Sequence, residues 1–128
     1  MRTRPRSVAL TLFLVSAIAC SLLSAGPADT VQKFFRHLEK GQIADASALL
    51  SSRAVGQVPP EKLRSGLENG ARQIASKGGI RSVKVQKEEI QGELASVTLL
   101  ITYGNGSTES DNSKLVKEDG RWKLAPSK

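Results

Sequence analysis

From Ala95 to Tyr103 every odd-numbered residue is apolar: Ala95, Val97, Leu99, Ile101 and Tyr103. Successive side chains of an extended chain point to opposite faces, so these residues share one side of a strand. Upstream of residue 80 the spacing is helical. Val31, Phe34, Phe35 and Leu38 fall at i, i+3, i+4 and i+7 and make an amphipathic helix. A chain whose apolar period changes once, from helical to alternating, is confined to an α+β layout with helices packed on one sheet face.

The remaining elements fit around those two. Pro27 with Asp29 or Thr30 marks the start of the first helix, and Gly41 its stop. A short second helix covers residues 42–50, with Ile43, Ala46, Leu49 and Leu50 on one side. Residues 51–58 read as a loop. Pro59-Pro60 precede a third helix over 61–76, striped by Leu63, Leu67, Ala71 and Ile74. Gly66 and Gly70 weaken that helix and would permit close packing, and Lys77-Gly78-Gly79 ends it. Val83 and Val85 flank Lys84 in a short strand. Strands over 93–103, 107–117 and 121–124 follow, joined at Gly104-Asn105-Gly106 and at Asp119-Gly120. The prediction is three helices and then a four-stranded antiparallel meander.

The N-terminus is a separate matter. Arg2, Arg4 and Arg6 stand before an uncharged run from Val8 to Ala25, which is the pattern of an export signal. Beyond residue 28 lie all 12 acidic residues and 16 of the 19 basic ones, so the domain proper is near +4 rather than the +7 of the whole chain. A roughly 100-residue domain suffices for one core and no second domain. One Cys and one His exclude a disulfide framework and a Cys/His metal cluster, and no cofactor is implied.

Three endings of the leader are open. Ala17-Ile18-Ala19-Cys20 resembles a bacterial lipobox, with Ala17 where Leu is usual. Cleavage near Ala19, Ala25 or Ala28 would instead release a soluble domain. An uncleaved anchor is the third, since the run is just long enough to span a bilayer. A lone thiol is a liability in an exported domain and an acylated one is not, which favours Cys20 as a lipid attachment site. Residues 1–19 are then a signal peptide, 20–28 a tether and 29–128 a single α+β domain. Ser21 after that Cys resembles an outer-membrane sorting signal, so the domain would face the periplasm; a soluble periplasmic or secreted form is the alternative.

A family resemblance rests on two stretches. Val31-x-x-Phe34-Phe35-x-x-Leu38, Gly41 and Ala44-x-Ala46-x-x-Leu49-Leu50 resemble the opening of nuclear transport factor 2-like domains. Val116 to Leu124, through Glu118-Asp119-Gly120-Arg121-Trp122, is similar to their final hairpin. In particular the chain resembles small exported bacterial families of unknown function with this cystatin-like fold. It implies a curved sheet wrapping helices into a cone, often with a pocket at the open end. Such domains include isomerases, dehydratases, ligand binders and protein-binding modules, so the fold does not select a function.

Candidate chemistry is sparse. Phe34, Phe35, Leu38, Tyr103 and Trp122 could line a cone mouth and take a small apolar ligand, or simply form the core. His37 lies on the flank of the first helix. Asp45 sits opposite the apolar side of the second. Acid/base work would fall to Tyr103 with Glu109 or Asp111, and depends on the hairpin register. Asn105-Gly106 suits a two-residue type I′ turn, which turns Glu109 and Asp111 away from the face of Leu99 and Tyr103. A three-residue turn pairs Tyr103 with Ser107 and swaps the faces. In either register residues 107–113 are polar on both sides and suit an exposed edge. Basic residues are scattered among acids without interleaved aromatics, so nucleic acid is not an expected partner. Two functions emerge. One is a non-catalytic envelope protein, held to the membrane through acylated Cys20, that binds a small apolar ligand or another envelope protein. The other is a small isomerase- or dehydratase-like enzyme.

Overall fold

Pro27 occupies the first turn of the first helix, where its missing N–H costs nothing and its fixed φ suits the helix. Helix α1 (Pro27–Glu39) therefore starts ahead of the expected Asp29 or Thr30. The computed structural model describes residues 25–126. The expected signal peptide at 1–19 and Cys20 lie outside the described residues.

Two further helices, α2 (Ile43–Ala48) and α4 (Pro60–Ser76), match the sequence reading. Between them is a helix that reading takes as loop, α3 (Ser52–Gly56). Its signal is a single residue: Ser51 is extended and its side chain accepts from the Ala54 N–H, a helix N-cap. One turn is too short to show a period. The close packing expected at Gly66 and Gly70 is absent. A Cβ at Gly66 would meet nothing within 4 Å, and one at Gly70 would meet Leu38 at an ordinary 3.8 Å.

The strands β1 (Ile80–Gln91), β2 (Leu94–Tyr103), β3 (Thr108–Glu118) and β4 (Arg121–Leu124) pair antiparallel in that order. β1 is far longer than the Val83–Val85 alternation suggests, because it is an edge strand with both faces largely exposed. Its register against β2 shifts at Arg81 and at Gln86, two bulges that curve the sheet. β4 pairs with Leu115–Glu118 alone, so the polar half of β3 has a strand partner on one side only.

The alternation in β2 does what the sequence demands: Ala95, Val97, Leu99, Ile101 and Tyr103 are all buried. The first three join Val31, Leu115, Trp122 and Leu124 in one core cluster. Ile101 and Tyr103 join Leu38, Ala46, Leu67 and Ile74 in another. Phe34 and Phe35 pack edge to face, with centroids 5.7 Å apart, and touch both clusters. Each fully buried aliphatic side chain stabilises the fold by about 1.5–3 kcal/mol.

Candidate functional site

The β2–β3 hairpin decides where the carboxylates go. The Tyr103 N–H donates to the Ser107 carbonyl at 2.9 Å, and the Gly106 N–H to the Tyr103 carbonyl at 2.9 Å. This is a type I turn followed by Gly106 at φ +86°, a three-residue loop. The two-residue turn favoured by Asn105-Gly106 is therefore not formed. Tertiary contact selects between the two. The Gly104 N–H donates to the Gly79 carbonyl and the Asn105 N–H to the Lys77 carbonyl, both at 2.8 Å. The turn is thus docked on the end of α4. Asn105 contributes locally, as its Oδ1 accepts from the Ser107 N–H at 2.9 Å.

The consequence is a one-residue change of face. Glu109 pairs with Ile101 and Asp111 with Leu99, so both stand on the side of Tyr103. The Tyr103 hydroxyl donates to Glu109 Oε2 at 3.0 Å. Lys77 Nζ reaches the same oxygen at 3.3 Å and lies 4.5 Å from the Tyr103 ring centroid. Tyr103 is 5% exposed, and its phenol is pushed up to about 12, first by burial, then by the Glu109 hydrogen bond and the negative charge of Glu109 and Asp111. The phenol is accordingly a neutral donor at any physiological pH. The Glu109 side chain is 53% exposed. Asp111 Oδ2 accepts from the Ser113 hydroxyl. Lys77 is the member of this cluster that the sequence does not reveal, because it meets Glu109 only through the docked turn.

The other candidates disperse. Leu38, Tyr103 and Trp122 are buried in the core, and Phe34 and Phe35 are half-buried against it. Lys117 Nζ stands 5.6 Å from the Trp122 ring centroid. His37 is bonded through Nδ1 to Gln42 Oε1 at 2.7 Å. Among the described residues, no group of three His, Cys, Asp or Glu side chains could hold a metal ion.

An apolar cleft lies instead on the helical side. It has a volume of about 470 Å³ and runs between α2 and α4, with Ile43, Leu63 and Leu67 on its walls and Val55 of α3 at its edge. Arg64 and Glu68, ion-paired at 2.9 Å, stand on its α4 side. Val55 is 40% exposed. α3 is held there from below: the Glu118 carboxylate accepts from the Ser52 N–H at 2.9 Å and from its hydroxyl at 2.6 Å. The Ser51 N–H donates to the Leu124 carbonyl at 2.8 Å, which extends the sheet past β4.

Residues 19–125 match the family described as Domain of unknown function (DUF4878). No curated protein matches the sequence. Among solved structures, a Campylobacter jejuni protein described as an NTF2-like transpeptidase is similar with a TM-score of 0.69 and 18% identity, covering 80% of this chain and all of that one. A SEC-C motif containing protein from Rhodopseudomonas palustris follows, with a TM-score of 0.57, 12% identity and coverage of 78% and 75%. A de novo designed NTF2 fold protein has a TM-score of 0.55 and 14% identity, covering 80% of this chain and 86% of that one. At these identities the likeness concerns the fold alone.

Proposed function

The chain belongs to the family described as Domain of unknown function (DUF4878) and has the NTF2-like fold, and on that premise we propose that it is an exported, lipid-anchored envelope protein that binds rather than catalyses. Its ligand is a small apolar molecule or an apolar segment of another envelope protein, seated in the cleft between α2 and α4. The observation that carries this reading is the cleft itself, whose wall is formed by Ile43, Leu63 and Leu67. It has the volume of a ligand site and a mostly apolar lining with a few polar groups at one side.

The Tyr103 cluster does not support the enzyme reading. A general acid or base needs a carboxylate shielded from water and free to exchange a proton. Glu109 is half exposed and shares one oxygen between Tyr103 and Lys77. The transpeptidase description of the Campylobacter jejuni protein is not carried over either. Such chemistry needs an activated nucleophile, and the lone His37 is engaged by Gln42.

The anchor rests on sequence: a basic n-region, an apolar run and Cys20 directly within a lipobox-like stretch. Ser21 after that Cys favours the outer membrane, with the domain facing the periplasm. Palmitate labelling of cells tests it. Label should enter the wild-type protein and be lost in Cys20→Ser, with release of the domain from membranes; unchanged labelling refutes the anchor. The cleft is tested by titration with a dansyl-labelled fatty acid and by a photo-crosslinking residue at Val55. Saturable binding or a defined crosslink, either one lost in Leu63→Glu, supports the reading. Neither signal from the wild-type protein would overturn it.

A further inference from the structure

The large apolar side chains that remain exposed are unevenly placed. Among the described residues they are Val55 at the cleft, Val58 between α3 and α4, and Val85, Ile90 and Leu94 on the β1–β2 hairpin. Ile90 and Leu94 are the most exposed, at 51% and 59%. Ile90 pairs with the buried Ala95 and so stands on the concave face of the sheet. Leu94 pairs with Gln91 on the other face. The hairpin tip therefore carries one exposed aliphatic side chain on each face, with Gln91 and Glu93 between them at the turn, a wedge rather than a patch that one docking partner could cover from one face.

That tip lies at the end of the domain where the chain enters. The Ala28 N–H at the start of α1 donates to Glu88 Oε2 at 3.1 Å. Ala25 lines a small cavity with Arg121 and Trp122 of β4, and the β3–β4 turn lies at the same end of the sheet as the β1–β2 turn. The Lys117 N–H donates to the Glu93 carbonyl at 2.8 Å, which fixes the tip to β3. From Glu88 the strand runs three more residues, about 10 Å, to the turn. From Cys20 to Ala28 is eight residues, a reach of at most about 29 Å. A domain on so short a lead has one end close to the membrane, and this hairpin is at that end.

We infer that the tip of the β1–β2 hairpin, through Ile90 and Leu94, seats in the headgroup region of the bilayer to which the tether leads. The inference rests on the lipid-anchored reading above. The charges near the tip are compatible with zwitterionic headgroups. Glu88 is taken up by the α1 amide, and Glu89 is paired with Lys87 at 3.1 Å. Lys114 stands two pairs along on the face of Leu94, its Nζ donating to the Ser96 hydroxyl at 3.2 Å. Two exposed aliphatic side chains at the tip of a rigid hairpin gain by leaving water, as in other interfacial anchors, and the acyl chain holds them within reach. The contact fixes the orientation of the domain, with the hairpin turned to the lipid.

The test places an environment-sensitive nitrobenzoxadiazole label on Gln91→Cys in the acylated chain, where Cys20 is blocked. The chain is reconstituted in phosphatidylethanolamine vesicles containing some phosphatidylglycerol and nitroxide spin-labelled lipids. Arg72→Cys, on α4, is the reference. Quenching at position 91 should exceed that at 72 several-fold, and Ile90→Ser with Leu94→Ser should bring it down to the reference. Equal quenching at both positions overturns the inference, as does quenching at 91 that survives the double substitution. A label that stays water-exposed on vesicles yet crosslinks to a protein in native membranes assigns the tip to a protein partner and also overturns it. Palmitate labelling of the same preparation reports the anchor separately. If the chain proves not to be acylated, the released chain is added to the same vesicles after its label is confined to position 91 by Cys20→Ser. Quenching there sustains the surface, and its absence overturns it.

Discussion

The Tyr103 hydroxyl and Glu109 Oε2 are 3.0 Å apart across a three-residue turn, and Lys77 closes the pair from the end of α4. The arrangement joins helix, turn and strand at one corner of the domain. It also makes the phenol an unusually poor acid, and the consequence is measurable because Tyr103 is the only Tyr in the chain.

Ultraviolet titration of the folded protein should give a single phenol ionising near 12 instead of 10. Glu109→Gln should lower that value without returning it to 10, since burial is the largest cause of the shift. A raised phenol means that the folded chain holds its proton longer than the unfolded chain. The stability this contributes is fully present below pH 10 and is lost as the pH rises toward 12, about 2–3 kcal/mol in all. Urea denaturation between those pH values checks the slope.

Gly104 should tolerate no side chain. A Cβ there would lie 2.1 Å from the Gly78 carbonyl oxygen, a clash with backbone that has no rotamer to yield. Gly104→Ala is expected to cost about 3 kcal/mol or more, or to undock the turn. Gly106→Ala meets open space and only the left-handed φ of +86°, so it should cost about 1–2 kcal/mol. Urea midpoints of the two variants should rank in that order.

The contrast explains what the sequence could and could not disclose. Periodic elements with one buried face are legible: the Val31/Phe34/Phe35/Leu38 stripe and the odd-numbered face of β2 both lie where the pattern puts them. The register of Glu109 is not, because Asn105-Gly106 suits turns of two or three residues and the choice is made by Gly104 against Gly78 and Gly79, residues far away in the chain. β1 is under-read because an edge strand exposed on both faces need not alternate. The cleft is invisible for a similar reason. Ile43, Leu63 and Leu67 read as ordinary stripe residues, and only the packing of α2 against α4 shows that part of their surface stays open.

Glu118 should govern α3. Its carboxyl is held below the usual carboxylate range by the Ser52 hydroxyl and then by the Ser52 N–H. A depressed acid stabilises the fold above the unfolded-state value and loses that contribution as the pH falls through the folded one. Acidification, or Glu118→Gln at neutral pH, should therefore lower the amide protection factors, exchange rates corrected for the intrinsic pH dependence, across residues 52–56 several-fold while those in β2 are unchanged. Uniform loss of protection throughout the domain would show that α3 is not held as a separate unit.

Burial along β2 changes so sharply that two leucines five residues apart should behave oppositely. Leu99 is fully buried and packs in the cluster of Val31, Val97 and Leu115, so Leu99→Ala removes contacts and leaves a cavity, at about 2–5 kcal/mol. That is a large part of the roughly 5–15 kcal/mol available to a domain of this size. Leu94, 59% exposed at the hairpin tip, has little to lose on truncation, and Leu94→Ala should stay within about 0.5 kcal/mol of the parent. Thermal denaturation of the two variants settles the ranking. It also bears on the bilayer contact, because a tip residue that is neutral for folding cannot lower vesicle contact by unfolding the domain. A loss of quenching on Leu94→Ser at unchanged melting temperature would then report the surface alone.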